Sequence, residues 1–161
     1  MIKRVSSRGK IRKATLDDAK GIHQLVSQYA NKKNDFLLPR SLTNIYETIR
    51  DYYVCQSRSG RIIGCGALHV VWEGLAEVKA LAVSKKYQGW GIGSRLLEAI
   101  LDEAIMMRIS RVFALTMKTD FFIKHGFTVT EKSNLPHKVW GECVNCHLFP
   151  DCEEVAMIIE L

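Results

Sequence analysis

The chain has 161 residues, 47% of them hydrophobic, and a formal charge of +6 from 23 basic and 17 acidic side chains. That is enough to bury well over half of the unfolded surface in one domain, and no apolar run nears the roughly 18 residues of a membrane span. Basic and acidic residues are interleaved, which argues against a nucleic-acid surface, and an odd number of cysteines, five, suits a reducing, cytoplasmic setting.

Residues 1–9 carry charge without an apolar core and read as an extension ahead of a single domain that takes in the rest of residues 1–161. Residues 10–15 predict a first strand ending in Thr15, whose hydroxyl caps a helix while Asp18, three residues on, favours its first turn. Ala19, Ile22, Val26 and Tyr29 recur at helical spacing and predict one buried stripe. Residues 31–40 read as a loop, after which Ser41 caps a short helix carrying Leu42, Ile45 and Ile49. Tyr52, Tyr53 and Val54 begin a strand, and the turn residues Ser57, Ser59 and Gly60 join it as a hairpin to the apolar run 61–72.

A further strand is predicted over residues 75–83, and from Ile92 the positions Gly93, Leu96, Leu97, Ile100, Leu101 and Ala104 mark one face of a long helix. Residues 112–116 form a buried strand, 119–125 a brief helix stopped by Gly126, 127–130 a short strand and 154–161 a last one. Residues 131–153, with Pro136, Pro150 and three cysteines, read as irregular.

Between the 75–83 strand and the long helix lie Gln88, Gly89, Gly91 and Gly93. Glycines let backbone approach a ligand closely, and the first N–H groups of a helix, backed by its dipole, favour an anion such as a pyrophosphate. On its own this is a generic anion cradle, equally at home as an unliganded turn. The last glycine is not followed by Lys-Ser or Lys-Thr, which excludes a nucleoside-triphosphate loop, and no acidic residue stands at ribose-binding distance for a dinucleotide fold.

Gln88-x-x-Gly91-x-Gly93, preceded by Leu81-Ala82-Val83 and followed by an amphipathic helix, resembles the signature loop of the GNAT acetyltransferases. The resemblance implies an α/β (α+β) fold, a mixed, mostly antiparallel sheet flanked by helices in a single layered domain. It implies acetyl-coenzyme A as cosubstrate, with the diphosphate on Gln88, Gly89, Trp90, Gly91, Ile92, Gly93 and Ser94 and the pantetheine arm along the backbone of Leu81, Ala82 and Val83. Leu37-Leu38-Pro39-Arg40-Ser41, Ala76-Glu77-Val78-Lys79, Phe113-Ala114-Leu115-Thr116 and Leu135-Pro136-His137-Lys138 are similar to short, stand-alone N-acetylglutamate synthases. That closer resemblance implies an amino-acid N-acetyltransferase, acting on glutamate at the entry to arginine biosynthesis, without the amino-acid-kinase domain of longer members. Such a protein is expected as a monomer or homodimer.

Strict alternation along 75–83 puts Glu77, Lys79, Leu81 and Val83 on one face, so Glu77 is expected beside the thioester as the base that takes a proton from the attacking ammonium. The competing expectation is a Glu77–Lys79 pair on a solvated face. A glutamate substrate brings two carboxylates whose lost solvation must be replaced, and Arg40 and Lys79 are the candidate cations. Many relatives carry a tyrosine acid four residues before the Gly-Phe that is Gly126-Phe127 here. This chain has Phe122, which has no proton to give, and nearby His125 reads as a helix-end residue. Cys143, Cys146 and Cys152, with His147 and His137, offer a structural zinc site or incidental thiols. Two other functions fit the same sequence. One is acetylation of a different amine, such as a protein amino terminus, and the other is a non-catalytic coenzyme A-sensing or zinc-stapled interaction module.

Overall fold

The computed structural model describes residues 8–30, 37–135 and 154–161. In chain order these form β1 (Lys10–Lys13), α1 (Ala19–Ser27), α2 (Leu42–Glu47), β2 (Tyr52–Gln56), β3 (Ile62–Trp72) and β4 (Leu75–Val83). The remaining elements are α3 (Ile92–Met106), β5 (Arg111–Thr116), α4 (Thr119–Lys124), β6 (Thr128–Thr130) and β7 (Val155–Glu160). The seven strands make one sheet in the order β1-β2-β3-β4-β5-β7-β6. Every neighbouring pair is antiparallel except β4 and β5. The expected mixed α/β architecture is therefore the one observed.

Local chemistry explains the main boundaries. Thr15 opens a 3-10 turn (Leu16–Asp18) through a reciprocal capping box with Asp18, and α1 follows directly. The Ser41 hydroxyl accepts the Asn44 N–H at 3.0 Å and starts α2. Ile49 falls just beyond α2 in a second 3-10 turn, Ile49–Asp51, which delivers the chain into β2. Gly126, at φ 91°, ends the α4 segment where a side chain would be strained.

The sheet buries both faces. Ile22, Leu25 and Val26 of α1 and Ile45 of α2 pack on Val54, Cys65, Ala67 and Ala82. On the other face Leu97, Ile100 and Ala104 of α3 and Phe122 of α4 cover Leu68, Ala76, Val78 and Ala114. Cys65 lies wholly inside, its Sγ donating to the Ala80 carbonyl at 3.4 Å, and burial pushes its pKa up to about 12.

The strict alternation expected along β4 is corrected by a bulge. Cys65 pairs with Ala82 and Ala67 with Lys79, so two steps on β3 face three on β4. Ala80 takes up the extra residue at φ 52°, a left-handed conformation that costs a non-glycine residue about 1–2 kcal/mol. Beyond it the sides exchange: Leu81 and Val83 pack under α3 with Ile92 and Leu96, while Ala80 and Ala82 join the α1 face. Glu77 and Lys79 therefore do not share a face with Leu81 and Val83.

One ion pair anchors the start of the fold. Arg12 donates to both oxygens of buried Asp18, at 2.7 and 2.9 Å, and Asp18 also accepts the Thr15 N–H at 2.8 Å. The hydrogen bonds from Arg12 hold the Asp18 carboxyl below the usual carboxylate range against the opposing effect of burial. A lowered folded pKa means that this stability is present above the unfolded value of about 3.9 and is lost as pH falls through the folded value. Asp18→Asn is expected to destabilise the protein by about 2–3 kcal/mol near neutral pH. In denaturant titrations the gap from the parent should narrow between about pH 5 and pH 2.

Candidate active site

β4 and β5 pair in parallel at only three positions, Leu75 with Arg111, Ala76 with Val112 and Glu77 with Phe113. Beyond Glu77 each strand stays with its antiparallel neighbour, β4 with β3 and β5 with β7, and the two part. A cavity of about 540 Å3 fills the opening, walled by Val78 to Val83 except Lys79 on one side and by Ala114 to Lys118 on the other. Tyr29 and Leu37 enclose it on the α1 face, and Ile92, Phe121 and Phe122 on the α3 face. The cavity thus passes through the sheet, joining its two faces at the point where the strands separate.

The mouth is built from the glycine loop. Gly89 (φ 81°) and Gly91 (φ 79°) are both left-handed, and no atom lies within 4 Å of the place a Cβ would occupy on either. Gly91 caps α3, whose first backbone return is Arg95 N–H to the Gly91 carbonyl at 3.1 Å, so Ile92, Gly93 and Ser94 supply the first-turn N–H groups. Open space above bare backbone amides at a helix start fits the diphosphate of a coenzyme A-type carrier. The loop is tied to β4 from beneath. Gln88 Nε2 donates to the Val83 carbonyl at 3.1 Å and to the Tyr29 hydroxyl at 3.2 Å, and that hydroxyl donates to the same carbonyl at 2.6 Å.

All the residues expected to hold the coenzyme line the cavity except Trp90, which is exposed with its ring edge-on to Tyr87 at 5.3 Å. The Gln88 side chain works within the fold, so its contribution to the cavity is mainly as part of the loop. Tyr29, Met117 and Phe121 are walls that sequence reasoning missed: Tyr29 reads there only as one residue of a buried helical stripe, and nothing in the local spacing of Met117 and Phe121 sets them apart. His125 does more than end a helix: its Nε2 is 3.0 Å from the Ser94 hydroxyl, and its ring packs 4.9 Å from that of Phe121.

Glu77 sits at the apex, the last paired position before the strands separate, and is only 8% exposed. A solvated-face pair is thereby ruled out. Lys79 Nζ lies 3.6 Å from its carboxylate, and both side chains are largely buried. Arg40 is half-buried in the stretch leading into α2, and neither it, Glu77 nor Lys79 is a wall of the cavity. Phe122 is buried among Phe121 and Phe127, ring against ring, at the place where a phenol acid was to be expected. Among the described residues no cluster of three or more His, Cys, Asp or Glu is placed to hold a metal, and Cys143, Cys146 and Cys152 lie outside them.

An opened parallel pair with a glycine-led helix at its mouth is the frame of an α/β protein able to hold a diphosphate-bearing carrier. The acetyltransferase (GNAT) domain family matches residues 48–129, about half of the chain, and the protein belongs to the GNAT acetyltransferases. An amino-acid acetyltransferase of Mycobacterium tuberculosis is 37% identical over 134 residues, 82% of this chain and 75% of that protein. The crystal structure of Rv2747 from Mycobacterium tuberculosis, in complex with CoA and NLQ, has a TM-score of 0.81 at 32% identity, covering 94% of this chain and 99% of that one. N-acetylglutamate synthase from Neisseria gonorrhoeae, complexed with coenzyme A and N-acetyl-glutamate, has a TM-score of 0.82 at 28% identity. That match covers 94% of this chain but 35% of the synthase.

The loop geometry generates a test. Gly91→Ala is expected to cost about 1–2 kcal/mol of stability from backbone strain and to weaken coenzyme A binding about tenfold or more by calorimetry. Gly60→Ala, at φ 90° in the β2–β3 hairpin, should carry comparable strain with coenzyme affinity unchanged.

Proposed function

We propose that the protein transfers the acetyl group of acetyl-coenzyme A to the α-amino group of L-glutamate, giving N-acetylglutamate and coenzyme A. The observation that carries this reading is the buried Glu77 at the last paired position of β4 and β5, next in chain to Val78, the first β4 wall of the cavity that lies where the strands part. The carrier enters from the glycine loop, and the amine approaches from the α1 face, where Glu77 and Lys79 stand. The N-acetyl-glutamate complex of the gonococcal synthase and the name of the mycobacterial relative favour an amino-acid acceptor. The setting that follows is the entry step of arginine biosynthesis in the cytoplasm, carried out by a single domain.

In the proposed ternary complex Glu77 takes a proton from the substrate ammonium. The freed nitrogen lone pair then attacks the acetyl carbonyl, the C–N bond forms, the C–S bond breaks, and the nitrogen's second proton passes through water to the departing sulfur. The bulge at Ala80 and Leu81 lies opposite Gly66 alone, outside the β3 ladder, and faces the cavity. A backbone N–H there serves as donor to the developing oxyanion. Because Phe122 has no proton to offer, the thiolate leaves unassisted or takes a proton from water, as suits a group with a pKa of about 8.5. Arg40 holds one substrate carboxylate and Lys79 the other, each replacing lost solvation.

Thiol release from acetyl-coenzyme A against a panel of amino acids tests the reading. Glutamate should be preferred, Glu77→Gln should lower kcat by about 10²–10⁴-fold, and Arg40→Ala should raise the KM for glutamate about 10–100-fold. Equal turnover of lysine and glutamate would refute the acidic-acceptor pocket. Tight coenzyme A binding with no turnover of any amine would instead favour the sensing module.

A further inference from the structure

Acetylation of an amino acid has a proton balance that the site must satisfy. The acceptor enters as an ammonium with three N–H bonds and leaves as an amide with one. The sulfur of coenzyme A takes one of the two protons released, so one proton per turnover has to reach bulk solvent. Glu77, on the reading above, receives it while buried.

Directly opposite Glu77 in the β3–β4 register stands His69. Residues paired across an antiparallel ladder project to the same face with Cβ atoms about 4.5–5.5 Å apart, which brings a carboxyl and an imidazole within reach through one water. The side chain of His69 is 39% exposed, so it connects a buried position to solvent. Its Nδ1 lies 2.8 Å from Oδ2 of Asp51, in the 3-10 turn Ile49–Asp51 that precedes β2. A carboxylate only accepts, so in a neutral ring Nδ1 carries the hydrogen and Nε2 the lone pair. Asp51 from that turn contacts the ring, and across the ladder on β4 stands Glu77, whose carboxylate is 3.6 Å from the ammonium of Lys79.

We propose that His69 is the proton exit of this acetyltransferase and that Asp51 is its positioning residue. The proposal rests on Glu77 being the base. After attack the O–H bond of Glu77 breaks and an Nε2–H bond forms on His69, giving an imidazolium that the Asp51 carboxylate stabilises. Nε2–H then passes its proton to water. Glu77 returns to its carboxylate and His69 to its neutral tautomer, with no other reactant consumed.

The test uses steady-state thiol release with acetyl-coenzyme A and the best acceptor of the amino-acid panel. His69→Ala should lower kcat about tenfold or more, leave both KM values near those of the parent, and recover with added imidazole in proportion to its neutral base. Asp51→Asn should lower kcat less and respond to the same rescue. The parent rate should be independent of buffer concentration. A His69→Ala kcat equal to the parent's, or a fall that imidazole does not restore, overturns the proposal, because a merely structural histidine offers no rescue by a diffusible base. Should His69→Ala melt early, His69→Gln with the same rescue series decides. Glu77→Gln at the parent rate would sink the base itself, whereas a collapsed Glu77→Gln beside an unaffected His69→Ala would sink only the relay.

Discussion

Everything that makes this sheet a reaction vessel follows from how briefly β4 and β5 stay together. Three parallel register positions hold them, and past Glu77 each follows its antiparallel partner instead. Parallel pairing is slightly weaker per residue than antiparallel pairing, so this seam is where the sheet is most easily opened. Cores above and below, with α3 and α4 on one face and α1 and α2 on the other, keep the rest of the sheet intact. The outcome is an opening within the sheet, lined by residues from both of its faces.

The bulge at Ala80 determines which side chains serve which face. Without its extra residue Leu81 would turn toward α1 and the apolar cover beneath the start of α3 would be lost. With it, Leu81 and Val83 fill the space under Ile92 and Leu96, and the polar pair Glu77 and Lys79 remains on the opposite side. In the proposed reaction carrier and amine thereby approach from different faces and meet at the seam. The strain of a non-glycine residue at φ 52° is tolerated because both neighbouring segments are held by packing.

Much of this was legible in the sequence, and the exceptions share a cause. β4 was expected over 75–83 and α3 from Ile92, both as observed, because alternation, a run of glycines and a long amphipathic stripe are local signals. The capping roles of Thr15 with Asp18 and of Ser41 were equally local. What escaped was set by distant parts of the chain. No spacing rule announces a bulge at an alanine, the pairing of Asp51 with His69 spans 18 positions, and the Tyr29 hydroxyl reaches Val83 across 54. The burial of Glu77 likewise depends on what packs around the seam, which β4 alone does not reveal.

Cys65 gives the architecture a chemical safeguard. An activated thioester is a hazard to any thiolate near it, since sulfur captures acetyl groups readily and the resulting self-acetylated protein would need repair. Cys65 bonds to the carbonyl of Ala80, itself a wall of the cavity, so it stands close to where the donor is proposed to lie. With its pKa pushed up to about 12 by burial, the sulfur is held as the thiol and not as the reactive anion at neutral pH. A sulfur that packs like a methyl group fills the core here without competing with the amine for the acyl group.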